Sequence, residues 1–185
     1  MSYIKNHKIT LVILLLLLFL ALAYTFFVVT KDDSTSNQDS QAYETLANTG
    51  DQSPYTTISG NSVSLTNYIG TIMVAHSWAS WCPQCKDQLI ELSELTETIN
   101  EVPVTILAIN RAEPASTARL YLRSLEVNEK VQLVLDADDR FYKSIAGYTM
   151  PETIIYDQDG TIARHIRGYV SNTELELIIS EITSS

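Results

Sequence analysis

The chain predicts an α/β domain, a mixed central sheet flanked by helices, carried behind a single apolar N-terminal helix. Three observations carry that prediction. From residue 53 onward, short apolar runs alternate with helical patterns. The last two runs face each other across a tight turn and lead into a capped helix. Ahead of all of them, residues 9–29 contain no charged side chain. At 185 residues, the chain has room for one domain and an anchor.

Residues 1–8 are basic, with Lys5, His7 and Lys8 and no acid. The 21 uncharged residues that follow include an unbroken Leu/Ile/Val block at 11–18. As a helix at about 1.5 Å per residue they span the ~30 Å hydrocarbon core. Lysines before the span place the N-terminus in the cytoplasm and the rest outside. Ala21-Leu22-Ala23 also fits a signal-peptide cleavage site, which would release the domain as a secreted protein. Phe26, Phe27, Val28 and Val29 prolong the apolar stretch past that site, which favours an uncleaved signal-anchor at the cell membrane. The expected organisation is a cytoplasmic tail at 1–8, a transmembrane signal-anchor at 9–29, a flexible polar tether at 30–52 and a folded domain at 53–185. Either form leaves the domain extracytoplasmic, where disulfides persist. The net charge of −10 lies mostly beyond residue 52. That surface repels nucleic acid, and no basic patch interleaved with aromatics offsets it, so nucleic-acid binding is excluded.

Within the domain, residues 55–58 and 63–65 read as a hairpin around Ser59-Gly60-Asn61. A turn at 67–70 leads into a buried central strand at 71–76. A helix starts at Pro83, with Leu89, Leu92 and Ile99 on one face and Glu91, Glu94 and Glu97 off it. A second buried strand at 104–109 precedes a helix at 113–125 that turns Leu122 and Leu125 inward. A third strand at 131–135 and a short helix at 139–146 follow. Residues 153–156 and 161–167 form an antiparallel hairpin across Asp157-Gln158-Asp159-Gly160. Ser171 and Glu174, spaced as a capping box, open a last helix with Leu175, Ile178, Ile179 and Ile182 on one face. This alternation, closed by a hairpin and a helix, gives the mixed sheet.

The chain's two cysteines, Cys82 and Cys85, stand in Trp78-Ala79-Ser80-Trp81-Cys82-Pro83-Gln84-Cys85-Lys86, where the central strand gives way to the helix. Cys82 falls at the helix N-cap, where orphan N–H groups and the positive end of the macrodipole stabilise a thiolate. Such a setting brings a cysteine from ~8.5 down to ~3.5–7.5. Pro83 at the first helical position forfeits no hydrogen bond. The i, i+3 spacing puts Cys85 on the same face, within reach of a disulfide. A purely structural crosslink this short removes little unfolded-state entropy. A zinc site wants about four ligands, and the spacing of His76 and His165 fits no standard one. A dithiol that cycles fits best, with Cys82 as nucleophile and Cys85 as resolving thiol.

The stretch WASWCPQCK resembles the active site of the thioredoxin-like thiol–disulfide oxidoreductases, above all their membrane-anchored TlpA/ResA/CcmG-like branch. The resemblance runs over about residues 53–183 and implies a thioredoxin-like fold, with the extra helix and strand as that branch's insertion. It implies a redox-active Cys82–Cys85 disulfide in place of a cofactor, and protein thiols or disulfides as substrates. Pro151 maps to a cis-proline beside the CxxC, Met150 to a residue whose backbone meets substrate, and Glu152 to a tuning position within Pro-Glu-Thr. Trp81 and Pro83 join the substrate surface, Trp78 packs around the site, and Lys86 is equally a solvated helix residue or a participant. His76 stands where thioredoxins carry a buried aspartate and this branch often an asparagine. It is a neutral core histidine, or a tuning group that takes a proton from Cys85 or, charged, stabilises a thiolate and makes the pair more oxidising. Gln88 replaces a glutamate implicated in proton handling and cannot act as a base, and Ile90 replaces a helix-kinking proline.

The function so implied is a membrane-tethered oxidoreductase exchanging disulfides with protein cysteines. In this branch the commonest role is reduction of apocytochrome c thiols, with electrons from a CcdA/DsbD-like membrane partner. Oxidative folding with an oxidising counterpart is the alternative, and the sequence does not set the direction. A peroxidase of the peroxiredoxin kind wants a threonine where Ala79 stands. A Sco-like copper-binding module uses CxxxC and a distal histidine, for which His165 is a poor candidate.

Overall fold

The structure, a computed structural model, describes residues 16–21, 24, 54–125, 127 and 129–184. Most of the expected tail, anchor and tether lies outside these residues. Residues 16–21 and 24 are helical and exposed, and no helix among the described residues is long and apolar enough to cross a membrane. The chain divides between Ala42 and Tyr43.

In the second unit, β1 (Tyr55–Thr57) and β2 (Ser62–Val63) form the first hairpin. Then come β3 (Ile72–Trp78), α1 (Pro83–Glu94), β4 (Thr98–Ile99), β5 (Val102–Arg111), α2 (Ala115–Leu122) and β6 (Val131–Asp136). The short helix α3 (Arg140–Ser144), the hairpin β7 (Glu152–Tyr156) and β8 (Ile162–Arg167), and α4 (Asn172–Thr183) complete it. The sheet order is β2-β1-β6-β5-β3-β7-β8, with β4 paired only to β5. β3, β5 and β6 are parallel, while β7 runs antiparallel to β3 and to β8. This is the mixed α/β sheet that the alternation predicts.

β3 lies between β5 and β7 and all seven of its residues are buried. The period of two sends its side chains alternately to two cores. Ile72, Val74 and Trp78 join Leu89 and Leu92 of α1 and Leu175 and Ile179 of α4. Met73 and Ala75 join Leu107, Ile109 and Ile154 beneath Phe141 of α3. The CxxC helix therefore covers one face of the central strand, and α3 the other.

Among the boundaries that differ from the sequence reading, two shape the surroundings of the site. Ile99 is not on the active-site helix, which ends at Glu94 with Leu95 in extended backbone. Thr96, Thr98 and Ile99 are β-branched and favour strand over helix. Asn100 and Glu101 adopt left-handed backbone, φ 49° and 66°, closing a turn that pairs Ile99 with Val102. The next helix begins at Ala115 with Pro114 as its N-cap, because a residue before proline is steered away from helical backbone. Glu113 is thereby left outside the helix. At α4, Ser171 Oγ accepts the Glu174 N–H at 3.3 Å, one half of the expected capping box.

Candidate active site

β3 runs two residues further than the sequence suggests, through Ser77 and Trp78. Ala79, Ser80 and Trp81 then turn the chain into α1, and the Cys82 N–H donates to the Ala79 carbonyl at 3.1 Å. Cys82 is the N-cap, in extended backbone at φ −93° and ψ 108°, with Pro83 opening the helix. No acidic residue stands in the first turn, so the positive end of α1 is left uncompensated beside the Cys82 sulfur. Cys82 and Cys85 are joined in a disulfide with a Cα–Cα separation of 5.4 Å. Cys82 keeps 3 % of its surface exposed and Cys85 none, while the neighbouring Trp81 is 60 % exposed. An incoming sulfur meets Cys82 first.

The Met150–Pro151 peptide is cis. Glu152 directly after it is fully buried. Its Oε1 accepts the N–H groups of Tyr148 and Thr149, each at 2.9 Å, and its Oε2 meets His165 Nε2 at 2.5 Å. Glu152 therefore braces the segment that presents Met150, and His165 is its partner. His165 is paired opposite Ile154, on the sheet face away from α1, so it does not face the cysteines as a copper ligand would.

His76 is fully buried and its Nδ1 lies 3.0 Å from Thr153 Oγ1. Burial pushes its imidazolium down to about 3, because a charge there would be desolvated. Of the two readings of His76, the neutral, hydrogen-bonded core histidine is the one the environment favours. Gln88 is also fully buried, and its amide meets Val170 twice: Nε2 donates to the carbonyl at 2.5 Å and Oε1 accepts the N–H at 2.9 Å. A carboxylate at this position would lose the first bond and repel that carbonyl. The departure at Gln88 makes the position a clamp between α1 and the β8–α4 connection.

Some site residues carried no local signal in the sequence. Glu113, held off α2 by Pro114, accepts from Ser80 N–H at 2.9 Å, Ser80 Oγ at 2.5 Å and Asn110 Nδ2 at 2.7 Å. It fixes the residue two before Cys82. Its position just past the carboxyl end of a parallel strand, where α/β sites collect, is the clue that could have found it. Trp78 packs on Tyr121 with ring centroids 5.9 Å apart. Burial, and then the charges of Asp87 and Glu113, push the Tyr121 phenol up. Tyr169, 44 % exposed, bonds Glu91 of α1.

Together these elements make a helix-capped disulfide flanked by an exposed indole and a cis-proline segment, suited to thiol–disulfide exchange. Comparison with known proteins agrees. Residues 46–165, well over half of the chain and including both cysteines and Pro151, match the AhpC/TSA family. A thiol-disulfide oxidoreductase ResA of Bacillus thuringiensis subsp. konkukian is 22% identical over 128 residues, covering 69% of this chain and 73% of the relative. A thiol:disulfide interchange protein DsbE of Pseudomonas aeruginosa is 31% identical over 101 residues, 55% of this chain and 53% of its own. Among solved structures, MTB dsbF superposes with a TM-score of 0.62 at 18% identity, covering 71% of this chain and 95% of the other. StoA from Bacillus subtilis superposes at 0.58 and 20% identity, covering 69% and 95%. The structural likenesses establish the thioredoxin-like fold. The peroxidase reading has no support at Ala79, which is fully buried and brings no hydroxyl to the site. The chain belongs to the AhpC/TSA family, and within it is a thiol–disulfide oxidoreductase.

Proposed function

We propose that the protein is an extracytoplasmic reductase of protein disulfides, tethered to the cell membrane through residues 9–29, with the oxidised cysteine pair of apocytochrome c as its substrate class. The observation that carries the exchange chemistry is the placement of Cys82, the more accessible sulfur, at the uncompensated N-terminus of α1. In the reduced enzyme the Cys82 thiolate attacks one sulfur of a substrate disulfide. A Cys82–substrate disulfide forms and the other substrate sulfur leaves as a thiolate. Cys85, deprotonated in turn, attacks the Cys82 sulfur and expels the second substrate thiolate. Two electrons have then passed to the substrate, and the Cys82–Cys85 disulfide remains. A membrane electron donor of the CcdA/DsbD-like kind restores the dithiol. Met150, Pro151, Pro83 and Trp81 form the substrate surface, and Glu152 supports it.

Burial of His76 disfavours a cation behind the disulfide, which fits a pair that is not tuned toward strong oxidation. The test is a trap. A Cys85→Ala variant incubated with a Cys-x-x-Cys-His peptide disulfide should accumulate a mixed disulfide at Cys82, released by dithiothreitol. A Cys82→Ala variant should accumulate none. Trapping on Cys85 alone would reverse the assigned roles. Location is tested separately: a membrane-impermeant thiol reagent should label the reduced cysteines in intact cells, and labelling only after lysis would contradict the extracytoplasmic placement.

A further inference from the structure

Between α3 and β7 the backbone hydrogen bonds are unevenly used. The Gly147 N–H donates to the Tyr142 carbonyl at 2.9 Å, and the Pro151 carbonyl accepts the Gly168 N–H at 2.8 Å. The Tyr148 and Thr149 N–H groups are held by Glu152. The Thr149 carbonyl accepts the Tyr142 hydroxyl at 2.5 Å. Among the described residues from 147 to 151, Met150 alone has both its N–H and its carbonyl free of internal hydrogen bonds. A donor and an acceptor on one residue are what an antiparallel partner strand engages.

Tyr142 controls which way that donor points. The Thr149 carbonyl and the Met150 N–H belong to the same trans peptide plane, so they point in opposite directions. Holding the carbonyl inward aims the N–H outward. The Tyr142 ring is itself fixed. Arg111 lies 3.5 Å over its centroid, and Arg111 makes a two-pronged ion pair with Asp139 at 3.0 and 2.6 Å. A Cβ on Gly147 would come within 2.5 Å of the ring, so only glycine lets the chain pass. Burial, and then the neighbouring Glu152 charge, push the phenol up, which keeps the hydroxyl a donor.

We propose that Tyr142 is a positioning residue for substrate: by holding the Thr149 carbonyl, it turns the Met150 N–H toward a carbonyl of an extended polypeptide. This rests on the reading of the protein as an oxidoreductase of polypeptide cysteines. The residue does not touch the reacting sulfurs, so its effect is on binding a backbone and not on exchange.

The test compares the full-length enzyme with a Tyr142→Phe variant, which keeps the ring under Arg111 and removes only the hydroxyl. Two disulfides are reduced: a synthetic Cys-x-x-Cys-His peptide disulfide, and cystamine, which has no peptide backbone. The expected result is a KM for the peptide raised about five-fold, the size of one lost net hydrogen bond, with kcat on the peptide retained. Peptide efficiency relative to cystamine then falls about five-fold, and the Cys82–Cys85 reduction potential stays in place. An unchanged peptide KM overturns the proposal, as does a parallel loss on both disulfides, which would indicate a general packing defect. A wild-type enzyme that reduces cystamine but not the peptide removes the polypeptide reading and this inference with it. A wild-type enzyme that reduces the peptide beside an unaffected variant removes this inference alone.

Discussion

At His76, burial weighs against the charged form that the residue type alone permits. Its folded value is depressed from 6.5 to about 3. Above the unfolded value both states are neutral and stability is fully present. As pH falls below 6.5 the unfolded chain takes up a proton that the folded chain refuses. Stability is then lost at about 1.4 kcal/mol per pH unit until the folded value is reached. Urea unfolding at about pH 7 and about pH 5 should differ by about 2 kcal/mol more in the wild type than in a His76→Asn variant; equal slopes would show a charged or exposed imidazole. Gln88 makes the complementary case. Gln88→Glu should cost about 2 kcal/mol at neutral pH, where a carboxylate faces the Val170 carbonyl. Because burial raises such a carboxyl's folded value, the loss should shrink as pH falls, read as a Tm that recovers in acid. Both residues stood out in the sequence as departures from a pattern. Their partners, Thr153 and Val170, lie 77 and 82 residues away, a distance no local pattern spans.

Among the elements, the active-site helix was legible from the start because its signals are local: Pro83 at its first position, Cys82 before it, and Leu89 and Leu92 on its buried face. Its end was not, since the apolar period continues to Ile99 while β-branching and a left-handed turn at Asn100 and Glu101 redirect the chain. The same holds for α2, where Pro114 shortens the helix and frees Glu113 to secure Ser80. Glu113→Ala should leave the Ser80 N–H without its acceptor. A loss of about 1–3 kcal/mol in urea unfolding is expected, with faster proteolysis near the CxxC. A loss within about 0.5 kcal/mol, the range of ordinary surface substitutions, would mean that Ser80 is held by other means. The segment before β7 was marked in the sequence only by Pro151 and Glu152. What fixes it, the Tyr142 hydroxyl and the His165 ring, comes from α3 and β8, and only the folded sheet brings these together.

At the scale of the whole molecule, the alternation of strands and helices sufficed for the mixed sheet, because each buried strand between helices leaves few ways to close a core. The strand order β2-β1-β6-β5-β3-β7-β8 is a matter of long-range pairing and required the structure. It places β3 centrally, its carboxyl end carrying Cys82, with β7 alongside to bring Pro151 near. In the proposed function this arrangement makes Cys82 and Cys85 a cycling pair that donates electrons. Its most direct test is the reduction potential of that pair in the full-length protein, held in detergent and equilibrated against thiol buffers. A donating pair should show one two-electron transition near thioredoxin's value of about −270 mV. A transition near the strongly oxidising value of about −120 mV, or two cysteines that never equilibrate as a pair, would contradict it.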